Sequence, residues 1–223
     1  MHVATAPDYL AVIEQLPPGT FFHAEHVPWE VYERLLTALS PATAVRLYYD
    51  QGRMDAVSPT AAHEKPIKIL HRLVVTLSDA LDMDIESYGS TTLRQQLKAK
   101  GAEPDDCFYV QHAAQIIGKS DLDLAQDPPP DIVVESDLTS SSLDRFAIYA
   151  ALGVPEIWRV ANWHVSLWAL AETQYEEVTV SQAFPFLPTE ALNEFLTLGL
   201  SDGERKAAQA LREWLAQQSL LSA

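Results

Sequence analysis

The stretch that most constrains the fold covers residues 131–158 and reads DIVVESDLTSSSLDRFAIYAALGVPEIW. Its first part contains the run IVV, whose β-branched residues lie between prolines and a Ser/Thr cluster, as is typical of a buried strand. A helical pattern follows over residues 143–152 and ends before Gly153, and a second strand is predicted over residues 156–160. The order strand, helix, strand predicts a βαβ unit at the centre of an α/β fold.

One charged residue stands out in this unit, because Glu135 directly follows the apolar strand residues. A carboxylate is costly to bury there unless a cation, a metal ion or several hydrogen-bond donors surround it. Sites in α/β sheets also collect at strand ends. Residues 139–142, TSSS, are predicted to supply the cap of the following helix. We therefore expect a functional site around Glu135.

The rest of the chain predicts one α/β domain with helical segments at both ends. We expect an N-terminal helical extension over residues 1–43, a core over residues 44–180, and a C-terminal helical extension over residues 181–223 that belongs to the same domain. The spacing of apolar residues predicts helices over 28–39, 62–81 and 202–217, and strand patterns cover 44–49, 53–57, 85–88, 91–97, 107–110, 165–170 and 175–180.

Composition limits the partners that this chain can have. The formal net charge is -16, which argues against a broad phosphate-binding surface, so any nucleic-acid site has to be local. No apolar run reaches the length of a membrane span, and we expect no membrane partner. Cys107 is the only cysteine, so the chain has no intrachain disulfide, and we expect a cytoplasmic protein.

Two carboxylates, Asp105 and Glu135, lie at predicted strand positions and are candidates for one shared site. A pair of carboxylates on neighbouring strands is a natural site for Mg²⁺, which prefers oxygen ligands. Two structural alternatives stay open: Asp105 could simply cap a turn, and Glu135 could form an ion pair with Arg145. The sequence HAEH at residues 23–26 lacks the spacing of a helical zinc motif.

Four segments resemble the PD-(D/E)XK nuclease superfamily, and within it the Uma-type restriction endonucleases. They are YDQGRMDAVSP with AHE within residues 49–64, STTLR at 90–94, GAEPDDCFYV at 101–110, and residues 131–160. The resemblance implies a restriction-endonuclease-like central mixed β-sheet flanked by helices. It also implies an endonuclease that hydrolyses DNA phosphodiester bonds with Mg²⁺, or with Mn²⁺ in its place.

The resemblance also assigns roles to individual residues of this chain. Asp105 would match the metal-binding aspartate and Glu135 the second acid, with the backbone carbonyl of Ser136 as a third metal ligand. His63 and Glu64 match positions on the entrance helix, where they could contact the metal or its water.

One position departs from the family pattern. This branch places a lysine four residues before a tyrosine on the helix after the second acid, and with Tyr149 as the tyrosine that position is Arg145. Arginine stays protonated, so it cannot act as a general base, but it can orient a water or hold a phosphate through two donors.

The sequence leaves two other functions open. Arg145 and the net charge favour a catalytically decayed nuclease-fold interaction protein, whereas the acidic surface also suits a hydrolase of a small phosphorylated substrate. A homodimer is an open alternative to a monomer.

Overall fold

The computed structural model of the 223-residue chain describes residues 6–39, 44–136 and 144–220. The helices are α1 (Ala6–Ile13), α2 (Trp29–Ala38), α3 (Ala61–Leu81), α4 (Ala113–Ile116), α5 (Arg145–Leu152), α6 (Thr189–Ser201) and α7 (Glu204–Gln217), with a 3₁₀ turn at Gln96–Lys98. The strands are β1 (Phe21–Ala24), β2 (Arg46–Asp50), β3 (Arg53–Val57), β4 (Glu86–Ser87), β5 (Leu93–Gln95), β6 (Lys100–Ala102), β7 (Asp106–Tyr109), β8 (Ile132–Ser136), β9 (Glu156–Ala161), β10 (His164–Ala171) and β11 (Gln174–Val178).

The strands form two sheets. A five-stranded sheet has the order β1-β3-β2-β6-β5, and all its pairs are antiparallel. A six-stranded mixed sheet has the order β11-β10-β9-β8-β7-β4, and its one parallel pair is β8 with β9. Because parallel neighbours need a crossover connection, α5 joins these two strands and completes the βαβ unit that the sequence predicts.

Side-chain alternation along β8 separates two layers of the core. Ile132 and Val134 face the layer that contains α3, α6 and α7, whereas Val133 faces the layer that contains α5 and Tyr48. Successive side chains of a strand point to opposite faces, so Glu135 is expected on the same face as Val133. The apolar pattern of one short strand thereby directs the carboxylate toward α5 and the five-stranded sheet.

The five-stranded sheet has two different faces as well. Leu47 and Tyr49 pack with residues of α1 and α2, whereas Tyr48 faces α5. The C-terminal helices α6 and α7 pack with α3 on the far side of the six-stranded sheet. None of the helices in the described ranges has the length and hydropathy of a membrane-spanning segment.

The structure confirms the α/β class, the mixed sheet flanked by helices and the C-terminal helical pair. It adds a second sheet, in which β1 pairs with β3 and ties the N-terminal segment to the core. The organisation as one domain, with boundaries at residues 43/44 and 180/181, stays a prediction.

The cap of α5 differs from the expectation. The predicted capping residues 139–142 lie outside the described residues, and α5 begins instead after Asp144. The Asp144 carboxylate accepts a hydrogen bond from the Ala147 backbone N–H at 3.3 Å, which is the usual role of an N-cap side chain.

Candidate active site

Glu135 lies at the centre of a buried polar cluster, with only 4% of its surface exposed. Arg145 Nη1 donates to its Oε2 atom at 2.7 Å, and the Tyr149 hydroxyl donates to its Oε1 atom. Arg145 and Tyr149 are four residues apart on α5 and therefore share one face of the helix. The ion pair with Arg145, expected as a structural alternative, is present.

Tyr48 completes the surroundings of this carboxylate from the five-stranded sheet. Its hydroxyl lies 3.3 Å from both Glu135 oxygens, and its ring packs 4.1 Å from the centre of the Arg145 guanidinium. A cation over a buried aromatic ring is held in place by the ring quadrupole as well as by its acid. Glu135 therefore has a partner from each of two layers of the fold.

The electrostatics of the cluster follow from its burial. Desolvation raises the pKa of Glu135 to about 7; the nearby Arg145 cation opposes this shift, and Asp105 adds to it. Burial also raises the pKa of Tyr48 and of Tyr149 well above the ordinary value, so both phenols keep their protons and act as donors.

Asp105 precedes β7 directly and is attached to β8. Its Oδ2 atom accepts hydrogen bonds from both the backbone N–H and the hydroxyl of Ser136, each at 2.7 Å. Its own backbone N–H donates to the Val134 carbonyl at 3.1 Å. The Oδ1 atom lies 3.8 Å from Arg46 Nε, beyond hydrogen-bond distance. Asp105, just before β7, and Glu135, on the neighbouring strand β8, are thirty residues apart in sequence and join one buried cluster through Ser136.

The two candidates on the entrance helix lie farther out. Glu64 Oε1 is 3.5 Å from Arg46 Nη2, so Arg46 connects Glu64 with Asp105. The His63 ring is hydrogen-bonded through Nδ1 to the Thr60 hydroxyl at 2.7 Å, at the start of α3. The structure therefore links Glu64 to the acids through one intervening side chain and links His63 to the end of its own helix.

Three residues of this cluster were not identified as site residues from the sequence: Arg46, Tyr48 and Tyr149. Arg46 and Tyr48 occupy alternate positions of β2 and so share one face, but no local sequence signal directs that face toward Glu135. The HAEH segment has a different explanation: His23 Nδ1 lies 2.6 Å from Asp55 Oδ1 on the neighbouring strand.

The donor set fits a hard divalent cation in chemical type. Asp105 and Glu135 offer carboxylate oxygens, Ser136 offers a backbone carbonyl, and Mg²⁺ prefers such oxygen ligands. Asp105 Oδ1 has no described donor within hydrogen-bond distance, and each Glu135 oxygen has more than one lone pair. Within residues 6–39, 44–136 and 144–220, no group of three or more His, Cys, Asp or Glu side chains is placed to hold a metal ion.

Comparison with known proteins gives a family match and structural likenesses to solved proteins. The model of the Uma2 family, described as "putative restriction endonuclease", matches residues 29–201. A solved structure described as "a putative nuclease belonging to DUF820 from Anabaena variabilis" is similar, with a TM-score of 0.49, 13% identity, and coverage of 74% of this chain and 97% of that chain. The comparison with curated proteins gave no match. Because the family model covers most of the sequence, the chain belongs to the Uma2 family of restriction-endonuclease-like proteins.

Proposed function

We propose that this protein is a Mg²⁺-dependent endonuclease that hydrolyses phosphodiester bonds of DNA. The family supports a nuclease function, and the observation that carries the finer proposal is the joining of Asp105 and Glu135 in one buried cluster beside Arg145. The metal ligands would be Asp105, Glu135 and the Ser136 carbonyl, with Mn²⁺ as an alternative ion.

The reaction would be a hydrolysis, in which a water oxygen forms the new bond to phosphorus as the bond to the leaving sugar oxygen breaks. A bound divalent cation supplies Lewis-acid polarisation of the phosphoryl oxygen and lowers the pKa of water. Ser136 fixes the orientation of Asp105 through two hydrogen bonds, and Tyr149 and Tyr48 fix that of Glu135.

Arg145 would act by its charge. A guanidinium stays protonated in proteins, so this side chain does not accept the proton of the attacking water. Its positive charge balances Glu135 in the ground state and would stabilise negative charge that develops on the phosphoryl oxygens.

One observation favours a second candidate, a decayed scaffold without catalysis. Arg145 already donates to Glu135, and two phenols also lie within hydrogen-bond distance of the same carboxylate, so the acid has partners without any metal. In that case the cluster would be a structural ion pair between β8 and α5.

Nicking of supercoiled plasmid tests the proposal. The wild-type protein should nick DNA with Mg²⁺ or Mn²⁺ and should lose this activity with excess chelator. Asp105→Ala and Glu135→Ala should each lower the rate by orders of magnitude, because each removes a metal ligand. Cleavage that persists in excess chelator would contradict the metal-dependent mechanism.

Variants of Arg145 separate the enzyme from the decayed scaffold. In an active enzyme, Arg145→Lys should retain or raise nicking because lysine supplies the same charge, whereas Arg145→Met should abolish it. Arg145→Met should also lower the free energy of unfolding by about 1–3 kcal/mol, because Glu135 loses its counter-charge in a buried position. If wild type, Arg145→Lys and Arg145→Met all fail to nick DNA and the variants differ from wild type only in stability, the protein is a decayed scaffold and the nuclease proposal is wrong.

A further inference from the structure

Unpartnered hydrogen-bond donors are concentrated beside the two acids. Across the described parts of the chain, four buried side-chain nitrogen or oxygen atoms lack a hydrogen-bond partner, and three of them are Arg46 Nε, Arg145 Nε and Arg145 Nη2. A buried donor without a partner destabilises the folded state, so three in one cluster need a physical reason.

The two unpartnered nitrogens of Arg145 form one edge of its guanidinium. Nη1 donates to Glu135, whereas Nε and Nη2, which form the other edge of the group, have no hydrogen-bond partner. That edge presents two parallel N–H groups, a geometry that matches two oxygens of a phosphate or carboxylate. Tyr48 covers one face of the guanidinium, so a second anion would bind in the plane of the group, at this edge.

Arg46 brings a second guanidinium to the cluster, on the side of Asp105. It precedes Tyr48 by two residues on β2, so the two side chains lie on one face of the strand. Arg46 lies between two acids without a short contact to either: Asp105 Oδ1 is 3.8 Å from Nε and Glu64 Oε1 is 3.5 Å from Nη2. Charge-assisted hydrogen bonds of this type are usually about 2.7–2.9 Å long. Arg46 is therefore charged and largely enclosed, with 12% of its side chain exposed. Its Nη1 donates to the Ala44 carbonyl at 3.3 Å, and its Nε has no hydrogen-bond partner.

We propose that Arg46 and Arg145 form an oxyanion-binding site that takes one phosphate group and needs no divalent cation. Phosphate fits these donors better than a carboxylate, because it has enough acceptor oxygens for the Arg145 edge and for Arg46 together. The inference rests on the proposed function only in taking this phosphate to be that of the substrate. It assigns to Arg46 the role of a second substrate-binding residue.

The site is local in an otherwise acidic molecule. With a formal net charge of -16, long-range attraction does not bring phosphate to this protein, so binding depends on the short-range contacts of the two guanidiniums. Loss of either arginine should therefore lower the phosphate affinity strongly, whereas loss of a surface arginine should leave it unchanged.

Calorimetric titration with inorganic phosphate in the presence of chelator tests the proposal. Wild type should bind phosphate, and Arg46→Gln and Arg145→Gln should each weaken binding at least tenfold. Arg94→Gln is the matched control, because Arg94 is exposed and pairs with Glu33 at 2.8 Å on the outside of the five-stranded sheet. Circular dichroism checks that each variant folds. If Arg46→Gln does not fold, Arg46→Lys replaces it in the titration. Lysine keeps the charge but lacks the two parallel N–H donors of arginine, so this variant should weaken phosphate binding several-fold. Absence of phosphate binding by wild type, or equal binding by the Arg46 variants, would overturn the inference.

Two competitors identify the source of the phosphate and keep this inference separate from the proposed function. Displacement of phosphate by a short DNA duplex supports a phosphodiester ligand, and displacement by thymidine 5′-monophosphate alone supports a small phosphorylated substrate. Phosphate binding that depends on Arg46 in a protein that never nicks DNA contradicts only the nuclease proposal. If the protein nicks DNA but the Arg46 variants bind phosphate as tightly as wild type, only the proposed site of two arginines is contradicted.

Discussion

At the scale of single residues, the account depends on the Glu135 carboxylate. It is buried and is surrounded by one guanidinium and two phenols, all of which remain protonated. Such an arrangement stabilises a negative charge by hydrogen bonds, whereas burial opposes the same charge. Because burial dominates, the pKa of Glu135 rises to about 7 and the carboxyl group titrates near neutral pH.

This raised pKa predicts a pH dependence of stability. The ordinary pKa of a glutamate is near 4.5, so between about pH 4.5 and pH 7 the folded protein holds a proton on Glu135 that the unfolded chain releases. The free energy of unfolding should therefore fall as the pH rises through that window, by at most about 1.4 kcal/mol per pH unit, and this contribution should stay constant above it.

Urea unfolding of wild type and of Glu135→Gln from pH 4 to pH 8 measures this effect. Burial also raises the pKa of Glu103 and of Glu156, but these two groups titrate in both proteins and cancel in the difference. The difference between the two stability curves should change between pH 4.5 and pH 7. Parallel curves across that range would show that Glu135 titrates as an ordinary carboxyl group.

At the scale of elements, α5 decides whether the site is assembled. This helix of 8 residues carries Arg145 and Tyr149, and its first residue follows the Asp144 cap. A short helix gains little from its own hydrogen bonds, so the cap and the packing against the two sheets must hold it. The position of the site therefore depends on how the chain enters α5.

Removal of the cap tests this dependence. Asp144→Ala should lower the free energy of unfolding by about 1 kcal/mol, since the Ala147 N–H loses its acceptor. Asp84→Ala is the control, because Asp84 is an exposed residue in the loop after α3. Urea unfolding compares the two variants, and equal small effects would mean that Asp144 contributes no capping energy.

The elements differ in how far sequence reasoning could reach them. The long helix α3 and the βαβ unit followed from apolar spacing and from Gly153, because these signals are local. The strands β1 and β6 have 4 and 3 residues, too few for a periodic pattern, and they exist through their neighbours in the five-stranded sheet. Tyr48 likewise reads as an ordinary strand residue until the two sheets bring it to Glu135. The roles proposed for Asp105, Glu135 and Ser136 stay predictions.

At the scale of the whole molecule, charge sets the strongest constraint on function. A chain with a formal net charge of -16 should not attract DNA over long distances, so it should bind DNA only through a local site. The described cluster pairs Glu135 with Arg145 and places Arg46 next to Asp105, so its charges nearly balance. This balance separates the candidate site from the acidic surface and makes both a metal and a phosphate chemically reasonable ligands there.

Magnesium binding measured by calorimetry tests the central claim that Asp105 and Glu135 hold a divalent cation. At 0.15 M salt, where weak surface binding is largely screened, wild type should bind one Mg²⁺ per chain, and Asp105→Asn and Glu135→Gln should each lose it. Glu190→Gln, which removes an exposed carboxylate on α6, should bind like wild type. If wild type binds no Mg²⁺, or if Glu135→Gln binds it as tightly as wild type, the two acids do not form a metal site.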